Sequence, residues 1–563
     1  MKRIAIPSII VFIQLSLFSA FRLEAQVYLH LDRDKYISGE DVWFSIYCID
    51  QESGKLSSKS AIAYIELLNP WNVPVIQKRF QLSGGRGEGS LLLPDSISSG
   101  NYIIRAYSNW MKNFLPDHCY MHDIDICNPF KGSDFWRKVD SAGLSFVGLI
   151  NPPDKNENII NFAIDSIYGR REKVSMKVRI NNYRADQSGI SEMSISVTPA
   201  EAASESHWRN DFMISGTDQK QYSFESEGHY LSGRIRYRDG NISDSSDFLF
   251  MSIQGKVADF KYARIDTAGR FRFIMPVDSK IRNLILQPEH ASTNMILEID
   301  PSFSWILPES YSYKDTLSDS RLEEFSGLSF NYQAAKIYGT RSKKEIVANN
   351  DSTLKRRRFY GIPEMEIYLD DYINLPVMQE VFFELLPGII FRSRKSGYEM
   401  KITNPLTGDF YEEPPLVMID GVIINDLTVL ADLNPELVEK IEVVKTPYLI
   451  GDLILHGIVN VITRSGDFSN ITMPDYVVVL PYMVVEKPSA FISPDYSDER
   501  NRINRIPDLR NTLYWNPSVK TDRNGEVEIE FWTSDLPGNY SIKIQGISGT
   551  GEKISVYKSF MVR

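Results

Sequence analysis

A mainly β, multidomain fold is predicted by three features of the sequence. At 563 residues the chain is too long for a single domain. Aromatic residues make up 12% of it, with 29 Tyr and 29 Phe, which suits strands better than helices. Runs of alternating apolar residues recur along most of its length, separated by turns rich in Gly, Pro, Asn and Ser. Tandem immunoglobulin-like β-sandwiches with one small α+β domain are the expected architecture.

Lys2 and Arg3 precede an apolar run from Ile4 to Phe21, and Ala25 supplies a small residue for cleavage, so residues 1–25 are predicted to be an export signal. The mature chain is expected to begin near Gln26, and no Cys lies at the cut to carry a lipid. Exported protein meets an oxidising compartment, which permits one disulfide among Cys48, Cys119 and Cys127. Cys119 and Cys127 are the candidate pair. His118 and His122 beside Cys119 and Asp123 have a spacing that would gather ligands on a helix, but the segment reads as extended, so no metal is expected.

Residues 26–128 read as the first sandwich. Val42, Phe44, Ile46 and Cys48 share one face, and strands over 61–68, 75–82, 90–93 and 102–107 follow. A second sandwich is expected over 129–228, with clean alternation in 173–180 and 192–198, and a third over 229–305. Between 306 and 359 Leu322, Phe325, Leu328 and Tyr332 fall at roughly helical spacing before Gly339, so a short helix in a charged linker is predicted. The cluster Lys355 to Arg358 is read as part of that solvated linker.

An α+β domain is expected over 360–468. Leu416 to Ile419 and Val422 to Ile424 are β-formers separated by Asp420-Gly421, the dipeptide that accepts the positive φ angles of a tight hairpin. Ile419, Asp420, Gly421 and Val422 are therefore its defining residues. Asn434 can cap a short helix beginning at Pro435, Ile441 to Val444 reads as the next strand, and Gly457 to Thr463 as another. A linker is expected over 469–505, and a last sandwich over 506–563, where Gly538-Asn-Tyr540 repeats Gly100-Asn-Tyr102.

Several of these segments resemble known families, and the sandwiches over 129–228 and 506–563 look macroglobulin-like. The Leu-Val-Met-Ile-Asp-Gly-Val hairpin, the Asn-Pro-Glu-x-Val-Glu-Lys-Ile-Glu-Val stretch and the closing Gly-Ile-Val-Asn-Val-Ile-Thr resemble, in that order, the plug domain of TonB-dependent outer-membrane receptors. The receptor's barrel of about 22 strands needs more than ~200 residues, and 469–563 cannot hold it. A plug without its barrel is the expectation, and such a domain cannot gate import. The Asp-x-x-x-Tyr-x-x-Gly-x-x-Val-x-Phe pattern of Asp32 to Phe44 resembles the second domain of α2-macroglobulin-type proteins, as does the later stretch from Leu93 to Ala106. The Asp266 to Phe273 turn is similar to that of the carboxypeptidase-regulatory sandwich, a non-catalytic module. Together these resemblances imply a Gram-negative envelope setting, periplasmic or associated with the outer membrane.

Chemistry is sparse. No Gly-x-Ser-x-Gly, His-Glu-x-x-His or phosphate-loop pattern occurs, and Gly85-Arg-Gly-Glu-Gly89 precedes a strand rather than a helix. None of the cysteines stands in the Cys-Gly-Glu-Gln context of a thioester, and His456 beside Gly457 reads as a packed side chain. No catalytic residue and no cofactor are expected. With a formal net charge of −11 and no dense basic stripe, nucleic acid is not the expected partner. The favoured reading is a non-enzymatic envelope scaffold whose barrel-less plug-like domain docks to an outer-membrane protein. The alternative is a polysaccharide-binding or hydrolytic envelope protein with an interdomain site, for which Trp43, Trp71 and Trp110 could form aromatic platforms. A peptide or a glycan is a further candidate ligand. The oligomeric state is left open.

Overall fold

Val174, Met176, Val178 and Ile180 are buried along the strand Lys173–Ile180 while the residues between them are exposed, the period-two pattern of a strand covered on one face. The same logic builds most of the protein. The computed structural model describes residues 21–22, 24–116, 118–131, 160–181, 191–203, 213–214, 222–237, 248–275, 283–289, 295–307, 319–339, 343–346, 357–395, 397–468, 473–474 and 476–563. They fall into two compact units, one drawn from 1–226, 305–345 and 488–563, the other from 227–304 and 346–487. Of the expected export signal, residues 1–20 and 23 lie outside the described residues. Ala25 opens the first long strand, Ala25–Leu31.

In the first unit, Ala25–Leu31, Asp41–Asp50 and Arg86–Leu92 form one antiparallel sheet with Asp41–Asp50 at its centre. The facing sheet runs in the order Lys35–Ile37, Tyr120–Cys127, Gly100–Tyr107, Ile62–Leu68 and Pro74–Gln81. Val42, Phe44, Ile46 and Cys48 are fully buried. Gly89 admits the ring of Phe80, which a Cβ there would meet at 2.3 Å.

A second sandwich in this unit joins distant parts of the chain. Lys173–Ile180 pairs with Glu526–Trp532, placing Met176 opposite Ile529. Glu192–Pro199 lies between Tyr514–Lys520 and Gly538–Ile547, and beyond the latter Lys553–Val562 and the short parallel strand Ile167–Tyr168 complete that side. The structure thus differs from the expectation of separate sandwiches over 129–228 and 506–563. Neither set of strands can cover its apolar face alone, so Val174, Met176, Ile195, Ile529, Phe531 and Ile544 share one core. Of 129–228, residues 132–159, 182–190, 204–212 and 215–221 lie outside the described residues.

The Gly-Asn-Tyr repeat has a structural basis. Tyr102 donates from its hydroxyl to the carbonyl of Ser98 at 2.8 Å, and Tyr540 to that of Leu536 at 3.0 Å, each four residues upstream and each in a different sandwich. Both rings are buried where the chain enters a central strand.

Asp319–Tyr338 is a 20-residue helix that ends at Gly339, whose φ is +67°. It corrects the expectation of a short helix in a solvated linker over 306–359. Phe325, Leu328 and Tyr332 bury against Ile37 and Ala202, so the helix is part of the first unit's packing. Arg105, fully buried with Glu66, also holds the carbonyl of Ile306 at 2.8 Å.

The second unit contains another sandwich and an α+β domain. Arg270–Met275, His229–Tyr237 and Met295–Ile299 face Asp259–Arg264, Phe248–Ile253, Asn283–Pro288 and Val478–Pro481. The last strand lies in the stretch read as a linker over 469–505, a second correction: Leu480 pairs with Leu284, and its apolar side chain packs on the core. The α+β domain is a five-stranded sheet in the order Met365–Tyr368, Val438–Val444, Ile458–Thr463, Leu416–Ile419 and Val422–Ile423. The helix Met378–Leu385 and the hairpin of Ile389–Arg394 with Gly397–Ile402 complete it.

Candidate functional site

The predicted hairpin forms with Ile419 opposite Val422. Asp420 and Gly421 have φ of +49° and +76°, the paired positive values of a tight two-residue turn. Its tip is buried rather than presented to solvent. Asp420 is fully buried, and its carboxylate accepts from the amide of Thr463 at 2.8 Å, the hydroxyl of Thr463 at 2.6 Å and the amide of Phe468 at 2.9 Å. The Asp420 carbonyl accepts from Gly255 at 3.0 Å, and Gln287 donates to the carbonyl of Ile423 at 3.1 Å, so the neighbouring sandwich clasps the turn. A Cβ on Gly421 would lie 3.2 Å from the Cα of Ala258.

Asn460 connects this turn to a charged cluster that sequence reasoning missed. Its Oδ1 accepts from the Gly421 amide at 3.3 Å while its Nδ2 donates to the Tyr360 hydroxyl at 3.0 Å. That hydroxyl donates to the fully buried Glu442, which also takes Arg358 at 2.6 Å and Lys440 at 2.7 Å. Burial, then the bond to Glu442, pushes the Tyr360 phenol far above its usual range. A buried carboxylate with two cations and a phenol is a satisfied network, with no bare group left to act as acid or base. Arg358, read with Lys355 as solvated linker, is here a structural ion-pair partner. Lys355 itself lies outside the described residues. The only local signal was the alternation Glu439-Lys440-Ile441-Glu442, which places ionic groups on the strand without naming their partners.

Asn434 accepts from the amide of Glu436 at 3.0 Å and Pro435 takes the first position, but the element they cap is a single 3₁₀ turn, Pro435–Leu437. His456 is half-buried with its ring against Tyr411 at 5.4 Å between centroids. On the opposite margin of the sheet, Met365–Tyr368 pairs with Val438–Val444 on one side and with no other strand among the described residues. Exposed apolar side chains lie near this margin in sequence: Ile362 is 91% accessible, Ile373 83% and Phe383 82%.

Elsewhere the candidate chemistry becomes architecture. In the first unit, Nδ1 of His30 lies 2.6 Å from the hydroxyl of Ser194, which is 2.7 Å from that of Tyr47. All three residues are fully buried, so this Ser-His pair joins two sandwiches and offers no path to a substrate. Burial, then the charges of Lys543 and Arg86, hold the His30 imidazole well below its usual pKa. His122 lies 2.8 Å from Asp34, and the segment after Cys119 is the strand Tyr120–Cys127, not a helix. No group of three metal-type ligands occurs among the described residues.

The disulfide candidate is corrected. Cys119 and Cys127 stand at opposite ends of that strand, and the seven steps from Tyr120 to Cys127 alone span about 23 Å. Bridged Cα atoms must approach within about 7 Å. All three cysteines are thiols. The aromatic platforms fare unevenly: Trp43 and Trp110 are core residues, whereas Trp71 is 65% accessible.

No protein-family model matches this chain, and no curated protein matches it. Among solved structures, Salmonella alpha-2-macroglobulin reacted with methylamine is similar at 9% identity, covering 96% of this chain and 40% of that one, with a TM-score of 0.24. The native conformation of Escherichia coli alpha-2-macroglobulin matches at 10% identity over 97% of this chain and 40% of that one, with a TM-score of 0.25. Trypsin-activated Escherichia coli alpha-2-macroglobulin gives 11% identity, 96% and 41% coverage, and a TM-score of 0.23. This chain spans about two fifths of the length of each.

Proposed function

We propose that the protein is a non-enzymatic component of a Gram-negative cell envelope, exported from the cytoplasm, whose β-sandwiches carry an α+β docking domain similar to a receptor plug. The observation that supports this reading best is the half-paired strand Met365–Tyr368. Its outer edge, unpaired among the described residues, offers a row of backbone donors and acceptors to a strand from a partner. The partner is an outer-membrane protein, and the buried Asp420-Gly421 turn serves to fix the docking domain on its sandwich rather than to contact that partner. The glycan-binding alternative loses two of its three tryptophan platforms to the core.

The test is to replace Tyr368, which is 42% accessible, by a photoreactive phenylalanine analogue in cells making the full chain. A single crosslinked product fractionating with the outer membrane is expected. Crosslinking from a control position at Trp71 with none from Tyr368 would remove the docking role.

A further inference from the structure

Arg170, Arg502 and Arg505 are among the residues that line one open depression of about 490 Å³ in the first unit. Among the described residues, none of the three has an acidic partner within ion-pair distance. The acid in the lining is Asp535, and it is already engaged: Arg171 donates to it through Nε at 2.9 Å and Nη2 at 2.5 Å. What remains is a local excess of about three positive charges on a chain whose net charge is −11.

The loop carrying Arg502 and Arg505 is fixed from beneath. Arg171 also donates to the carbonyls of Asn501, Arg502, Asn504 and Ile506 at 3.0, 3.1, 2.7 and 2.7 Å. Four carbonyls on one guanidinium hold this backbone in place before any ligand arrives, which lowers the ordering cost of binding. Between and beside the arginines, Ile503 is 71% and Ile506 42% accessible. A fixed loop that alternates guanidinium and exposed isoleucine has the amphipathic character of an interfacial contact.

We propose that this depression binds the phosphate group of an anionic lipid headgroup, the arginines taking the phosphate oxygens and Ile503 entering the headgroup region. Arginine suits phosphate because its planar fork donates two parallel hydrogen bonds to adjacent oxygens. A free phosphate shares that chemistry but gains nothing from the isoleucines. The site is independent of the docking role proposed above, because its residues all lie in the other unit.

The test uses full-length protein sedimented with phosphatidylcholine vesicles, with and without phosphatidylglycerol. Wild type should bind only the anionic vesicles, and less as salt rises. Each of Arg170→Gln, Arg502→Gln and Arg505→Gln should weaken binding about five-fold, and the triple variant on the order of a hundred-fold, since each basic residue near such a surface contributes about 1 kcal/mol. All three side chains are exposed, so thermal unfolding should not change. Arg523→Gln, at the opposite end of the strand Glu526–Trp532 from Asp535, should bind as wild type does. Equal vesicle binding by the triple variant would overturn the proposal. Stabilisation of wild type by inorganic phosphate with no binding to anionic vesicles would likewise overturn the lipid assignment, leaving a small-anion site.

Discussion

Thr463 occupies both oxygens of the Asp420 carboxylate, its amide donating to Oδ1 at 2.8 Å and its hydroxyl to Oδ2 at 2.6 Å. This pair locks the hairpin turn to the parallel strand beside it, since Leu416–Ile419 runs parallel to Ile458–Thr463. Asp420→Ala strands the buried amides of Thr463 and Phe468 and leaves the Thr463 hydroxyl only Ser465 at 3.1 Å, so it should destabilise the second unit by about 3 kcal/mol. Gly421→Val places a β-branched residue at positive φ and pushes a side chain into Ala258, so its cost should be at least as large. Calorimetry of the full chain should show one transition falling while the other stays in place. Coincident shifts of every transition would refute the local role.

The pH dependence of the first unit should reflect two opposed residues. His30 has its folded pKa held well below the unfolded value of 6.5, so its contribution is complete above that pH and is lost as pH falls below it. Asp32, also fully buried, is pushed up from 3.8 to about 6, chiefly by burial, so its contribution is complete below pH 3.8 and lost as pH rises through about 6. His30→Gln should therefore flatten the loss of stability between pH 7 and 5, whereas Asp32→Asn should steepen it. Denaturation midpoints measured across that range decide the point. Parallel pH profiles for the variants and wild type would show that neither residue controls it.

Much of the fold could be read from local pattern. Alternation located Lys173–Ile180, and Asp420-Gly421 located its hairpin, because both depend on the geometry of a few adjacent residues. The pairing of Met176 with Ile529 was not legible, since an exposed-buried alternation states that a face is covered but not by which segment. Arg171 shows the same limit at a site. Nothing in its neighbourhood in sequence points to Asp535 or to the carbonyls of 501–506, which are brought to it only by closure of the second sandwich. The half-paired edge Met365–Tyr368 was likewise invisible, because strand order is a property of the assembled sheet.

The three thiols should react in a definite order. Burial pushes Cys48 up to about 12 and raises Cys127 as well, so neither is a ready thiolate at neutral pH. Cys127 is only half-buried, whereas Cys48 and Cys119 are fully covered. Alkylation of folded protein should label Cys127 first and slowly. Unfolded protein treated without reductant should gain three labels by intact mass. A gain of one label would establish a disulfide and contradict the strand geometry of Tyr120–Cys127.

Arg171 sets the most demanding test, because its side chain holds together parts of the chain separated by more than three hundred positions. It sits at a φ of +52°, an unusual conformation for a residue with a side chain, and is buried with its guanidinium on Asp535 and four carbonyls. Removing one partner of such a pair leaves the other charge and the carbonyls without compensation, so Arg171→Ala should cost about 3 kcal/mol. The loss should be local at first, appearing as protease cleavage within 499–507 before global unfolding. Arg171→Lys separates charge from geometry: an ammonium keeps the attraction to Asp535 but cannot span four carbonyls and a bidentate carboxylate together. It should recover less than half of the lost stability and leave the loop open to protease. If Arg171→Lys matched wild type in both readouts, charge alone would hold this loop, and the fixed backbone invoked for the Arg502 and Arg505 site would lose its basis.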